Sequence, residues 1–162
     1  MTSPSFVFGS SSYTFHENHL RNFDWKKSRQ RCRDIGSDLV SIESKEEWFF
    51  LKETIQKKAL WEYFIGLKKD SKSKEWRWIS DNSKVNATVG EFPWAKNEPN
   101  GDGNCAVMYK DYMLDHGRFN DLNCTKKLKV TGYICESSVN NNNQEGMFHK
   151  SLCFFLLFLN QA

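Results

Sequence analysis

Apolar positions follow a helical rhythm in the first third of the chain and a strand rhythm after it. Tyr13 and Phe15 alternate with polar neighbours, as in a short strand that buries one face. FDWKKSRQRCRDIG then sets Trp25 and Cys32 two helical turns apart, with Asp24 as N-cap and Gly36 as a stop. SDLVSI reads as a brief strand. In SKEEWFFLKETIQKKAL, Ser44 and Glu47 form a capping box, and Trp48, Leu51 and Ile55 share one helical face. Beyond it, YFIGL, WRWI, CAVMY and GYICE are short β-branched or aromatic runs separated by polar loops. Two helices followed by several antiparallel strands predict an α+β domain.

The pattern also sets boundaries. Residues 1–12 read as a leader or linker, 13–136 as one folded domain, and 137–162 as a disordered Asn-rich spacer with a short apolar tail. The stretch from Ser80 to Cys105 has little periodicity and reads as a functional loop. The tail LCFFLLFL, residues 152–159, would span only about 12 Å as a helix, against roughly 30 Å of bilayer core. A membrane span is therefore disfavoured. A glycolipid-anchor signal would share the polar spacer but carry a longer apolar end.

Composition supports a real core, with 39% apolar and 15% aromatic residues, including six tryptophans and thirteen phenylalanines. The net charge of +3 is small, and the basic cluster Lys126, Lys127 and Lys129 reads as a solvated face. Nucleic acid is not an expected partner. Five cysteines stand at 32, 105, 124, 135 and 153, with no CxxC pair and no histidines at zinc-finger intervals. Two disulfides and one spare thiol, Cys153, is the natural reading, and it implies an oxidising, extracellular setting. MTSPSFVFGSSS lacks the basic start and apolar run of a signal peptide, so the chain reads as a fragment or isoform of a longer receptor.

WAKNEPNGDGNC, residues 94–105, is the most unusual stretch. Pro99 and two glycines exclude regular structure, and four oxygen-bearing side chains crowd around them. With this stretch in place, Tyr13 to Glu136 resembles a C-type lectin-like domain. The matching pieces stand in the family's order: Trp25 to Cys32, LVSI, FIGL, WRWI, EPN, Cys105, FND, Cys124 and GYICE. The sequence alone allows three pairings of four cysteines. The resemblance implies Cys32–Cys135 and Cys105–Cys124, without the family's optional N-terminal hairpin bridge. It also implies a cis Glu98–Pro99 bond.

In sugar-binding members, the equivalents of Glu98, Asn100, Asn120 and Asp121 hold one calcium ion. The residue types suit that task. Calcium is a hard cation that takes 6–8 oxygens in flexible geometry. Two carboxylates offset its charge, two amides add neutral oxygens, and the amide nitrogens stay free to meet sugar hydroxyls. EPN accompanies mannose-like hydroxyls in the family. The resemblance thus implies a calcium-dependent lectin for mannose-type glycans or glycoproteins, clustered for avidity. This chain departs from the pattern at Gly103, where the family has an acidic fifth ligand. Asp102, one place earlier, is the candidate substitute. Phe119 replaces the motif's tryptophan and reads as a core change.

Asn86-Ala87-Thr88 and Asn123-Cys124-Thr125 are N-glycosylation sequons. His116, just before FND, could tune the cation site near pH 6, although an exposed loop histidine is the plainer reading. No GxSxG, P-loop, HExxH or GxGxxG is present, and no carboxylate pair stands out, so an enzyme is not expected. The alternative to a lectin is a calcium-independent protein-interaction or adhesion module on the same fold.

Overall fold

A computed structural model describes residues 4–17, 23–88, 90–111, 115–126 and 131–139. The spacer and apolar tail from residue 140 onward, Cys153, Lys127 and Lys129 lie outside the described residues.

Helix α1 (Trp25–Arg33) starts where expected, because the Asp24 carboxylate accepts from Lys27 N at 2.8 Å. Trp25, Ser28 and Cys32 form its buried stripe, and Gly36 closes the exit at φ +74°. Helix α2 (Lys45–Gln56) buries Leu51 and Ile55 fully, with Trp48 half-buried on the same side. Its capping box is displaced by one residue. Ser44 Oγ accepts from Glu47 N, but the Glu47 carboxylate accepts from Glu43 N at 2.9 Å. Its other oxygen is drawn away by the Tyr13 hydroxyl at 2.8 Å.

The remaining elements are strands β1 (Ser5–Phe8), β2 (Ser11–His16), β3 (Asp38–Leu39), β4 (Glu62–Lys69), β5 (Trp76–Trp78), β6 (Lys84–Val85), β7 (Cys105–Tyr109), β8 (Phe119–Leu122) and β9 (Thr131–Ser138). They form one sheet with the main path β1-β2-β9-β4-β5-β6. Strand β7 pairs with β4 and β8, and β3 pairs with β9. Most pairs are antiparallel, but β4 and β9 run parallel, with Tyr63 opposite Gly132. The sheet is therefore mixed, with the predicted antiparallel pairings predominating among the described residues.

Residues 1–12, read as leader or linker, contain β1. Its Phe6 and Phe8 side chains pack on Phe15 and Phe50, so this segment adds a hairpin to the sheet without any cystine. Polar neighbours and the short length hid that role. At the other end β9 runs past Glu136 to Ser138, and Val139 N bonds to the Ser10 carbonyl. The two cystines are Cys32–Cys135 and Cys105–Cys124.

The core lies between α2, β4 and the hairpin. It continues under the long loop as an aromatic cluster of Trp76, Trp78, Trp94 and Phe119 with edge-to-face contacts. Phe119 is fully buried. This cluster is the floor on which the loop lobe stands.

Candidate functional site

Two segments distant in sequence meet above that floor. Residues 93–95 run alongside β8, with Phe119 N donating to the Pro93 carbonyl and Ala95 N to the Phe119 carbonyl, both at 2.9 Å. Asn97 then adopts φ +69°, a left-handed position that asparagine tolerates. Glu98 N bonds back to the Ala95 carbonyl, which folds the chain toward β8. Glu98–Pro99 is cis, and so is Phe92–Pro93. On the opposite wall, β8 is paired to β7 with Ala106 opposite Asp121 and Val107 opposite Asn120. The Cys105–Cys124 bridge closes the same corner.

This framework sets Glu98, Asn100 and Asp121 together, with Asn120 the residue before Asp121 in β8. Asn100 N donates to Glu98 Oε2 at 3.1 Å and to Asp121 Oδ1 at 2.7 Å. Asn100 Nδ2 reaches Glu98 Oε1 and Asp102 Oδ2, each at 3.3 Å, while Asn100 Oδ1 accepts from Asp102 N at 2.8 Å. Asp121 is buried and gathers three amides, those of Asn100, Gly101 and Gly103, the last at 3.0 Å. Such a nest of N–H groups carries partial positive charge and offsets the carboxylate. Glu98 has less help, accepting only from Asn100 N and Nδ2. Burial, a hydrogen bond with Asp121, and repulsion from Asp121 and Asp102 push its carboxyl from 4.5 up to about 7.

A hard cation suits these residues in one clear respect. Asn120 Oδ1 is buried with no hydrogen-bond partner, while its Nδ2 donates to the Tyr109 hydroxyl. A buried carbonyl oxygen without a donor costs free energy unless something positive meets it. The two carboxylates and two carboxamides supply oxygens of the kind calcium prefers. Among the described residues, no group of three or more His, Cys, Asp or Glu side chains comes within metal-holding range. Asp102 therefore does not join Glu98 and Asp121 in one cluster.

Gly103 explains why. A Cβ built there would lie 1.9 Å from the Leu122 carbonyl carbon and oxygen. The loop closes onto β8 at this glycine, and the Gly103 amide faces Asp121. Sequence reading identified the glycine but missed this consequence, which follows only from the approach of β8.

The other candidates sit apart from this cluster. Asn86 and Asn123 are exposed, and each side-chain oxygen accepts from both the amide and hydroxyl of its sequon threonine. His116 Nδ1 lies against the Asp111 carboxylate. Sequence reading also gave no hint of Tyr109 as the partner of Asn120.

A helix-flanked sheet stapled by two cystines, with a polar cleft carried on an irregular lobe, defines the C-type lectin-like class. Residues 21–137 match the family model of the Lectin C-type domain, and the chain belongs to that family. It is 28% identical to rat (Rattus norvegicus) L-selectin over 141 residues, covering 85% of this chain and 36% of that protein. It is 33% identical to rat C-type lectin domain family 4 member A over 123 residues, covering 74% of this chain and 48% of that protein. The chain thus spans less than half the length of either relative. Among solved structures it is similar to the cow C-type carbohydrate-recognition domain of CD23, solved in the presence of a GlcNAc2Man3 oligosaccharide. That match has 27% identity and a TM-score of 0.67, covering 86% of this chain and 98% of the other. Among the described residues, no helix is long and apolar enough to cross a membrane.

Proposed function

We propose that this domain binds glycans of the mannose type, outside the cell, through Glu98, Asn100, Asn120 and Asp121 with one calcium ion. The buried, unpartnered Asn120 Oδ1, on the residue next to Asp121, is the observation that carries the reading. Calcium, when bound, supplies the positive charge that lets Glu98 ionise and offers open coordination positions to vicinal sugar hydroxyls. The chain's own part is to hold the donors. Glu98 and Asp121 provide charge, Asn120 provides a neutral oxygen, and the Asn100 and Asn120 amide nitrogens donate to hydroxyl oxygens. EPN fits mannose-like hydroxyls through the family resemblance, and the cow CD23 domain was solved with a mannose-containing oligosaccharide. The reading is of a binding protein, with no reaction assigned.

The test is retention on mannose resin together with a calcium titration of the melting temperature. A metal that binds only the native form raises that temperature with concentration. Retention lost on chelation and regained with calcium supports the proposal. Retention that ignores the chelator, or a melting temperature that calcium leaves unmoved, defeats it. Acidification should weaken retention, because the carboxyls must be ionised to hold the cation.

A second reading rests on Asp121 and Gly103. Three amides already satisfy Asp121, and Gly103 supplies no carboxylate. Both features weaken cation affinity, so the same cleft could serve calcium-independent recognition of a protein surface. Absent calcium response alongside capture of a defined protein partner would select this reading.

A further inference from the structure

Two adjoining hollows of about 450 and 420 Å³ share Arg29, Lys68 and Cys124 in their walls. None of the four residues of the proposed cation site lines either one. Their charged lining is six cations against two carboxylates: Lys26, Arg29, Arg33, Lys68, Lys69 and Arg77 against Asp24 and Asp70.

Each carboxylate in or beside the hollows is already engaged. Asp24 caps α1. Asp70 Oδ1 turns back onto its own loop, accepting from Lys72 N, Ser73 N and Ser73 Oγ at 2.7–3.0 Å. Asp38 is shared by Arg29 and Arg33, and Glu75 by Arg77 and Lys84, so each carboxylate serves two cations. Lys26, Lys68 and Lys69 form no ion pair among the described residues. The surplus is positive, and it lines a concave surface that focuses its field.

The cations are also positioned. Arg29 is held in a two-point bond to Asp38, with Nε to Oδ1 and Nη2 to Oδ2 both at 3.0 Å. The Lys68 ammonium and the Arg29 guanidinium both stand over the Trp25 ring, at 5.6 and 5.8 Å. Lys69 is fixed through its backbone, which donates to the Asn104 carbonyl at 2.9 Å.

We propose that this groove, running from Lys26 past Lys68 and Lys69 to Arg77, is a second, calcium-independent site for a sulfated polysaccharide. The cations are strung along a trough rather than focused on one point, which suits a chain with charges at intervals. Asn82, Asn104, Ser71 and Gln30 add amide and hydroxyl groups between them, the chemistry that meets sugar hydroxyls. The lining offers no open aromatic face for stacking bases. Trp25 is buried, roofed by the two cations, and donates its Nε1 to the Ile65 carbonyl. That disfavours single-stranded nucleic acid, which relies on such platforms.

The experiment uses the full chain, immobilised heparin as probe, and a chelator throughout, so that it is independent of the Glu98 site. The wild type should bind, and binding should fall steeply with added salt. Lys68→Gln/Lys69→Gln should weaken it by about tenfold or more, while Lys45→Gln/Lys57→Gln, which removes equal charge from the α2 region, should change it by less than about twofold. Melting temperatures of both variants serve as the folding control. No binding by the wild type, equal losses in the two variants, or equal binding of desulfated heparin would each overturn the proposal. So would capture of an acidic protein in its place, with heparin failing to compete.

Discussion

Two equally buried glutamates sit in opposite circumstances. Glu47, 7% exposed, lies between α2 and the N-terminal hairpin, where one oxygen accepts from the Tyr13 hydroxyl and the other from Glu43 N. Glu98, 6% exposed, accepts from Asn100 N and Nδ2 but also faces a second carboxyl, that of Asp121. In the first region both oxygens of the carboxylate are matched by the chain itself. The second is matched only in part, and its deficit is one of positive charge. A fold that meets hydrogen-bonding needs carefully around Glu47 leaves a shortfall around Glu98, and a shortfall of that kind marks a place for something from outside.

The largest test of the scaffold removes its long-range staple. Cys32→Ser/Cys135→Ser opens a bridge with a sequence separation of 103, and should cost up to about 4.7 kcal/mol by the chain-entropy account. Denaturant unfolding should show this with and without calcium. Next, Tyr13→Phe strips one donor from Glu47 and should cost about 1–3 kcal/mol while leaving sugar retention unchanged. Glu98→Gln should do the reverse in metal-free protein at pH 8. It removes one of two facing carboxyls, so melting temperature should hold or rise while the calcium-induced increase disappears. A large loss of metal-free stability from Glu98→Gln would erase the contrast between the two regions.

The smallest effect is a slope with pH. Since Glu98 titrates near 7 in the folded chain and at its ordinary 4.5 when unfolded, the native state holds more protons between those values. Its contribution to metal-free stability should therefore decline as pH rises from about 4.5 to 7 and level off above. Burial raises Glu62 and Glu136 in the same direction, but both remain in Glu98→Gln. The difference between wild type and variant unfolding curves, taken in a chelator across this range, isolates the one group. Parallel curves would contradict the raised Glu98 carboxyl.

Much of this was legible before any coordinates. Helical spacing from Trp25 to Cys32 and the Ser44 cap gave both helices, and the order of short motifs gave the family and the cystine pairing. What local pattern could not show was any contact set from a distance. The parallel β4–β9 pair joins strands that sequence cannot register, and Phe6 and Phe8 become strand residues only because Phe15 and Phe50 receive them. In the site, the residue types were readable but their state was not. The amide nest on Asp121 and the collision that a side chain at Gly103 would meet both arise from the closeness of β8. The groove around Lys68 was equally hidden, because its cations come from three separate elements, α1, β4 and β5, that only the fold brings side by side.

Strand β9 carries a consequence for biosynthesis. It borders β2, β3 and β4, so the centre of the sheet waits for the segment that begins at Thr131. Until that segment is in place, β2 has no neighbour on its inner edge and Cys32 has no Cys135, so its thiol must stay unoxidised or be reshuffled from a wrong mate. Closure of the sheet and of the Cys32–Cys135 bridge is thus a single late event, made when β9 docks.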